Sequence, residues 1–278
     1  MRISISQLKE MKQRDEKIVV LTAYDYPTAQ MVERAGVPVI LVGDSLGNVV
    51  LGYESTIPVT MEVMLHHTKA VTRAVKNTLV VGDMPFMTYQ ISSEEALKNA
   101  GRFMQEAGAH AVKLEGGVRV ASTVKRMVDA GIPVMGHIGL TPQSIYQLGG
   151  FKAQGKTVDV AKRLVDDAKT LEQAGAFAVV LETMPAELSA FISRQISIPT
   201  IGIGAGAGCD GQVQVISDIL GLFSDYIPKH TRQYAHLADD IYKAVAQYAQ
   251  DVKSGNFPSP KESISIDQDV IEAIEKWM

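Results

Sequence analysis

The sequence predicts an α/β fold, a closed (β/α)8 TIM barrel with additional C-terminal helices, and three observations lead to this prediction. Short apolar segments alternate with amphipathic helical segments along nearly the whole chain. The apolar segments are rich in Val, Ile and Leu, which is typical of parallel strands buried on both faces. Charged residues directly follow several of these segments. They would gather at the carboxyl ends of the strands, where barrel enzymes carry their active sites.

Composition limits the classes of protein to consider. The chain has 278 residues, 46% of them hydrophobic, which suits a single barrel domain spanning 1–278. A net charge of −4 without a basic run argues against nucleic acid or an anionic membrane as a partner. The single cysteine, Cys209, rules out a disulfide framework, and no apolar targeting or membrane-spanning segment is present. We therefore expect a cytoplasmic protein that acts on small molecules.

Seven apolar segments predict the first seven strands of the barrel. They lie at 17–23, 37–42, 79–81, 110–114, 132–135, 176–181 and 199–203. An eighth strand is predicted less clearly, either within 212–216 or near 224–227. Each segment is four to eight residues long or slightly shorter, as expected of strands rather than helices.

Helices are predicted between these strands, and four of them share an ending. The predicted helices cover 26–35, 60–76, 92–107, 119–130, 158–174 and 186–194. Ala-Gly closes four of them, at Gly36, Gly108, Gly131 and Gly175. Glycine adopts the left-handed conformation that ends a helix at little cost. About eight such repeats favour a closed barrel over the alternative, an open doubly wound sheet.

Two segments depart from this repeat. A long loop is predicted at 136–155, after the fifth strand, and long loops in compact domains are usually functional. A C-terminal helical extension is predicted at 233–278, with one helix at 233–253 and another beginning at 267. We expect this extension to pack on the barrel or on a neighbouring subunit.

Several acids that follow strands predict a metal site. Asp44, Asp83 and Glu115 lie at or just beyond strand ends and have small neighbours. Carboxylates without clustered Cys or His suit a hard cation, and Mg²⁺ is the first choice because it keeps positions open for water and substrate. Asp25 and His137 are predicted at the same face. Each charge taken alone could also be an ordinary loop residue.

Glu182 has a different environment, since it follows four apolar residues. An apolar setting would raise the pKa of a carboxyl group and suit it to act as a general base. The alternative is a buried acid bonded to backbone amides. Lys113 and Glu115, two residues apart, are expected to share one face of a strand, either in the site or as a salt bridge.

A histidine and a glycine-rich segment each have two possible interpretations. His137 would either bond a substrate oxygen or anchor the long loop. The glycine-rich segment 202–206 would either cradle a phosphate or form a tight turn.

At these residues the sequence resembles the ketopantoate hydroxymethyltransferase (3-methyl-2-oxobutanoate hydroxymethyltransferase) family. The matching segments are LVGDSLG at 41–47, PVT at 58–60, HTKAV at 67–71, GDMPF at 82–86, VKLEGG at 112–117, GHIGLTPQ at 136–143, QLGG at 147–150, GIGAG at 202–206 and DGQ at 210–212. They occur in the order of the family and cover the chain to about residue 234.

The resemblance implies a barrel of the phosphoenolpyruvate/pyruvate superfamily with Mg²⁺ as cofactor. It implies that Asp44 and Asp83 hold the ion, with Glu115 in the metal site, and that Glu182 is the catalytic base. The substrate-binding residues would be Asp44, Ser45, Asp83, Lys113 and His137. The implied reaction transfers a hydroxymethyl group from 5,10-methylenetetrahydrofolate to 3-methyl-2-oxobutanoate in pantothenate biosynthesis, through a Mg-bound enolate. The resemblance also implies a homodecamer.

Two rival interpretations are open at the level of sequence. One is another enzyme of the same superfamily, such as a 2-methylisocitrate lyase or phosphoenolpyruvate mutase. Those lyases carry a Lys-Lys-Cys-Gly-His loop, and the chain has no such segment. The other is a non-catalytic barrel, which would have lost the base or a metal ligand, whereas Glu182, Asp44 and Asp83 are all present.

Overall fold

Eight parallel strands close into a barrel in a computed structural model that describes residues 2–222 and 227–278. The strands are β1 (Ile18–Thr22), β2 (Val39–Val42), β3 (Leu79–Asp83), β4 (Ala111–Lys113), β5 (Val134–Gly139), β6 (Ala178–Glu182), β7 (Thr200–Ile203) and β8 (Gly211–Gln214). They pair in chain order, and β8 pairs with β1 through the register of Ile18 with Gly211. The barrel prediction is therefore confirmed, and the open-sheet alternative is wrong.

The eighth strand corresponds to the first of its two predicted positions. β8 ends at Gln214, whereas the second predicted position, 224–227, lies outside the described residues except for Ile227. Other boundaries differ by a few residues. The largest difference among the strands is at β5, which continues to Gly139, so the first part of the predicted loop is strand. The rest of that loop contains a 3-10 turn and one short helix.

Twelve α-helices occur among the described residues. They are α1 (Ile5–Gln13), α2 (Tyr26–Arg34), α3 (Leu46–Val49), α4 (Met61–Ala74), α5 (Ser93–Gln105), α6 (Ala121–Asp129), α7 (Ile145–Leu148), α8 (Val158–Gln173), α9 (Ala186–Gln195), α10 (Ile216–Ile219), α11 (Leu237–Ser254) and α12 (Gln268–Trp277). Helix α1 and the short helices α3, α7 and α10 were not predicted from the sequence. None of the described helices is long and apolar enough to span a membrane.

The glycines after four helices adopt the predicted conformation. Gly36, Gly108, Gly131 and Gly175 all have positive φ, between 68° and 94°. At these angles a side chain would be strained, and glycine ends each helix at little cost. The chain then passes directly into β2, β4, β5 and β6.

Two apolar layers make up the core. One fills the barrel interior, with Val20, Leu41, Val81 and Val213 among its members, and the other lies between strands and helices. Helix α1 closes the amino-terminal end of the barrel. Its Leu8 packs into the interior layer, and its Lys12 Nζ donates to carbonyl oxygens of Ser193 and Ile198 at 2.9 and 3.0 Å. The carboxyl end of the barrel is left for the site.

Candidate active site

The cluster of charges predicted at the carboxyl ends of the strands forms in the structure. Five of its side chains are almost completely buried and line one cavity of about 870 Å³. They belong to Asp44, Asp83, Lys113, Glu115 and His137. Ser45 and Glu182 line the same cavity and are partly exposed. All seven predicted site residues are therefore brought together.

Asp83 and Lys113 form a buried ion pair at the centre of this cluster. They are register partners at the ends of β3 and β4. The Lys113 Nζ donates to Oδ1 and Oδ2 of Asp83 at 2.7 and 2.8 Å. Burial would lower the pKa of Lys113, but the charges of Asp83, Glu115 and Asp44 raise that pKa above its usual value. The ammonium is therefore charged, and its partner is Asp83 rather than Glu115, the salt-bridge partner considered from the sequence.

Positive charge is scarce in this cluster. Burial first, and then the charge of Asp83, raise the pKa of Asp44 to about 7. Burial also raises the pKa of Glu115 well above its ordinary value. Three buried carboxyl groups thus share one ammonium, which is an expensive arrangement without a further cation.

Gln143 and Tyr89, for which the sequence predicted no role, hold two of these carboxyl groups in place. The Gln143 side-chain amide donates to Asp44 Oδ2, and its backbone N–H donates to Glu115 Oε2, at 2.9 and 3.0 Å. The Tyr89 hydroxyl donates to Gln143 Oε1 at 2.6 Å and accepts from the backbone N–H of Glu115 at 3.1 Å. Gln143 follows β5 by a few residues, so the loop there is part of the site.

His137 lies between two acids. Its Nε2 is 3.1 Å from Oε2 of Glu182, and its Nδ1 is 3.5 Å from Oε1 of Glu115. Neither contact has hydrogen-bond geometry, and both ring nitrogens as well as that Glu115 oxygen lack a hydrogen-bond partner among the described residues. Burial and the charge of Lys113 lower the pKa of His137, so the ring is neutral at pH 7. These polar atoms are available to a ligand in the cavity.

The end of β6 presents Glu182 to the cavity. The next residue, Thr183, has a φ of 48°, an uncommon value for a non-glycine residue that turns the chain away. Gly139 of β5 makes this approach possible, because a Cβ there would overlap the Glu182 carbonyl oxygen. No backbone amide among the described residues donates to the Glu182 carboxylate, contrary to the alternative considered from sequence.

Two other strand-end features do not join the site. Asp25 caps α2, where its Oδ1 accepts from the Thr28 N–H at 2.8 Å. The glycine-rich segment packs on α9, since a Cβ on Gly206 would overlap Ala186 and the carbonyl of Ala205 accepts from the Ser189 hydroxyl. This packing favours the tight turn over the phosphate cradle.

The donor set fits a magnesium ion. Within 2–222 and 227–278, no three Asp, Glu, His or Cys side chains converge into a preformed metal site. Mg²⁺ does not need one, because it commonly takes one or two carboxylates and completes its shell with water and substrate. Asp44 and Asp83 are adjacent, with the Asp44 N–H 3.3 Å from an Asp83 oxygen. Glu115 Oε1, which has no hydrogen-bond partner among the described residues, is a third available oxygen.

Comparison with known families decides between the candidate interpretations. The family model described as ketopantoate hydroxymethyltransferase matches residues 2–260. The chain belongs to the ketopantoate hydroxymethyltransferase family. It is therefore an enzyme, a hydroxymethyltransferase, and neither a non-catalytic barrel nor a superfamily lyase.

Relatives agree with this assignment over nearly their whole length. The 3-methyl-2-oxobutanoate hydroxymethyltransferase of Dehalococcoides mccartyi (strain CBDB1) is 67% identical over 276 residues, which is 99% of each chain. The enzyme of the same name from Syntrophus aciditrophicus (strain SB) is 59% identical over 94% of this chain and 96% of its own.

Solved structures of lower identity share the fold. Phosphonopyruvate hydrolase, in a complex with oxalate and Mg²⁺, aligns with a TM-score of 0.61 at 12% identity, over 99% of this chain and 96% of that chain. Phosphoenolpyruvate phosphomutase from Streptomyces platensis subsp. rosaceus aligns with a TM-score of 0.60 at 16% identity, over 99% and 97%.

Proposed function

We propose that the enzyme transfers a hydroxymethyl group from 5,10-methylenetetrahydrofolate to 3-methyl-2-oxobutanoate, giving 2-dehydropantoate and tetrahydrofolate for pantothenate biosynthesis. The observation that carries this proposal is the deficit of positive charge among Asp44, Asp83 and Glu115 beside Glu182. Such a site suits an anionic substrate only together with a divalent cation. We take 3-methyl-2-oxobutanoate as the substrate because the relatives are named 3-methyl-2-oxobutanoate hydroxymethyltransferase.

We propose Mg²⁺ as the cofactor, held by Asp44 and Asp83 with Glu115 in the metal site. The phosphonopyruvate hydrolase structure, which contains Mg²⁺ and the dianion oxalate in the same fold, supports this choice. When bound, the ion would polarise the keto group and stabilise negative charge on its oxygen.

The protein's own residues would bind the 2-oxo acid and move the proton. Lys113 would offset negative charge on the substrate oxygens, and Ser45 would donate a hydrogen bond, its hydroxyl being set by Tyr24 at 2.9 Å. Glu182 would accept the proton from C3 of the acid, leaving a carbon nucleophile. That carbon would bond to the methylene group of the folate as one of its two C–N bonds breaks, and water would then replace the second nitrogen and supply the hydroxyl group. Tetrahydrofolate would leave with one proton from Glu182 and one from that water on its two nitrogens. Neutral His137 would donate a hydrogen bond to a substrate oxygen, since neither ring nitrogen has a hydrogen-bond partner among the described residues.

Exchange of the C3 proton tests the base directly. In deuterated water with Mg²⁺ and no folate, the wild-type enzyme should exchange the C3 proton of 3-methyl-2-oxobutanoate, as followed by proton NMR. Glu182→Gln should exchange at least about 100-fold more slowly, because general bases commonly contribute 10²–10⁴-fold. Glu187→Gln, an exposed acid on α9, is the matched control and should exchange at the wild-type rate. Exchange by Glu182→Gln at that rate would refute the assignment.

We also propose that the enzyme is cytoplasmic and assembles as a homodecamer. Neither α11 nor α12 contains a buried residue, although both expose large apolar side chains. Ile241, Tyr248 and Trp277 are 51%, 58% and 86% exposed. Burial of such side chains against neighbouring subunits would remove apolar surface from water.

A further inference from the structure

Asp218 is a fourth buried acid in the cavity, on a different element from the three buried acids of the cluster of charges. It lies on α10, directly after β8, with 8% of its surface exposed, and it lines the cavity. The backbone N–H of Ile216 fixes this helix by donating to Thr22 Oγ1 of β1 at 3.0 Å. No side chain or backbone group among residues 2–222 and 227–278 hydrogen-bonds the Asp218 carboxylate, and its oxygens face the cavity rather than the sealed core.

A carboxylate that is largely removed from water, has no protein donor and opens to a cavity is poorly solvated, and a ligand there would complete its hydrogen bonds. Burial raises the pKa of Asp218 to about 6. The group is therefore mostly ionised at pH 7 and remains a hydrogen-bond acceptor. The ligand that complements it has adjacent N–H donors, as a carboxylate accepts two parallel hydrogen bonds best.

The cavity has room for such a ligand beside the 2-oxo acid. Its volume of about 870 Å³ far exceeds what a five-carbon acid fills. The residues that line the cavity include two exposed aromatic rings, Tyr53 and Phe151. Two exposed lysines, Lys156 and Lys229, line the same cavity. One cavity thus combines a buried acceptor, aromatic surface and cationic groups.

We infer that Asp218 binds the 2-amino-4-oxopyrimidine ring of the reduced pterin through its adjacent ring N–H and 2-amino donors. This inference rests on the proposed folate donor and locates its binding site. The aminobenzoyl ring of the folate would then contact Phe151 and Tyr53, and its glutamate carboxylates would pair with Lys156 and Lys229. The three chemical parts of the ligand correspond to the three kinds of residue in the cavity.

Calorimetric titration with tetrahydrofolate, performed anaerobically, tests this inference. Asp218→Asn is nearly isosteric but replaces one acceptor oxygen with a donor that opposes the pterin N–H groups. It should weaken tetrahydrofolate binding by about 10- to 100-fold, the range for losing hydrogen bonds to a charged group. Asp239→Asn, an exposed acid on α11, is the matched control and should bind like the wild type. Wild-type affinity in Asp218→Asn would overturn the inference.

A change in the ligand tests the same contact without any variant. The wild-type enzyme should bind a tetrahydrofolate analogue with hydrogen in place of the 2-amino group at least about tenfold more weakly than tetrahydrofolate. Equal affinity for the two ligands would overturn the inference even if Asp218→Asn failed to fold.

Deuterium exchange separates failure of the inference from failure of the proposed function, because exchange needs no folate. A wild-type enzyme that exchanges the C3 proton but binds both ligands equally would refute the role of Asp218 alone. A wild-type enzyme that neither exchanges the proton nor binds tetrahydrofolate would refute the proposed reaction, and the inference with it.

Discussion

Replacement of Lys113 by methionine isolates the energetic role of the buried ion pair. The Lys113 Nζ lies within 2.8 Å of both Asp83 oxygens, and the two side chains are 5% and 2% exposed. Methionine retains most of the apolar length of the lysine side chain and removes its charge. The variant therefore leaves Asp83 buried beside Asp44 and Glu115 without the ammonium.

The structure indicates the size of the effect. Removing one partner of a buried ion pair costs roughly 3–5 kcal/mol, because the remaining charge stays desolvated. The matched control is Lys125→Met, which removes an ion pair with Asp129 in which the side chains are 62% and 58% exposed. An exposed pair of this kind contributes about 1 kcal/mol or less. We therefore expect the free energies of unfolding of Lys113→Met and Lys125→Met to differ by about 3 kcal/mol.

Urea denaturation with and without Mg²⁺ measures both the loss and its cause. In EDTA, Lys113→Met should have a free energy of unfolding about 3–5 kcal/mol below that of the wild type. Mg²⁺ should narrow this difference, because a cation bound to Asp44 and Asp83 replaces the missing positive charge. Saturation at a hundredfold excess over Kd stabilises a folded protein by about 2.7 kcal/mol.

Two results would refute this reasoning. If Lys113→Met and Lys125→Met lost the same stability in EDTA, the buried pair would not be energetically distinct from a surface pair. If Mg²⁺ left the difference between wild type and Lys113→Met unchanged, the ion would not replace the charge of Lys113, and if Mg²⁺ stabilised neither protein, the three carboxyl groups would not bind it as proposed.

Three further predictions follow from single contacts. Gln143→Met should lower the affinity for Mg²⁺ at least about tenfold in calorimetry, because Asp44 Oδ2 and the Tyr89 hydroxyl each lose a hydrogen-bond partner. The control Gln247→Met, at an exposed position, should bind Mg²⁺ like the wild type. Equal affinities of the two variants would contradict the role of Gln143. His110 Nδ1 accepts from the Val80 N–H, and burial, together with the charge of Arg2, lowers its pKa to about 4. Below about pH 6.5 the His110 imidazole takes up a proton in the unfolded chain but not in the folded protein. The free energy of unfolding should therefore fall by about 2 kcal/mol from pH 6.5 to 4, after allowance for partial exposure. Urea denaturation of His110→Asn should show a pH dependence smaller by this amount. Gly82→Ala should lower the free energy of unfolding by about 1–3 kcal/mol in thermal denaturation, because its Cβ would overlap the Phe103 ring. The double variant Gly82→Ala/Phe103→Leu should recover part of this stability. Wild-type stability of Gly82→Ala would contradict the packing argument.

Much of the fold was predictable because its determinants are local. Runs of β-branched residues predicted strands, and Gly36, Gly108 and Gly175 marked helix ends because each needs a positive φ. Helix α1 was missed because its contribution is tertiary: only the closed barrel offers the opening that Leu8 fills. The length of β5 was underestimated since its glycines are unfavourable in isolated strands and are required here by close packing.

The sequence by itself determined that acids and a lysine would meet at one end of a barrel, because parallel strands all present their carboxyl ends to the same face. It could not determine which groups pair. Lys113 and Glu115 both line the cavity, as their alternation predicts, but the register of β3 and β4 places Lys113 beside Asp83, which becomes its ion-pair partner. Only the tertiary structure placed Gln143 and Tyr89 against Asp44 and Glu115, and Asp218 in the cavity wall. Their contacts join loops that are distant along the chain, and such contacts are fixed by how the whole barrel closes.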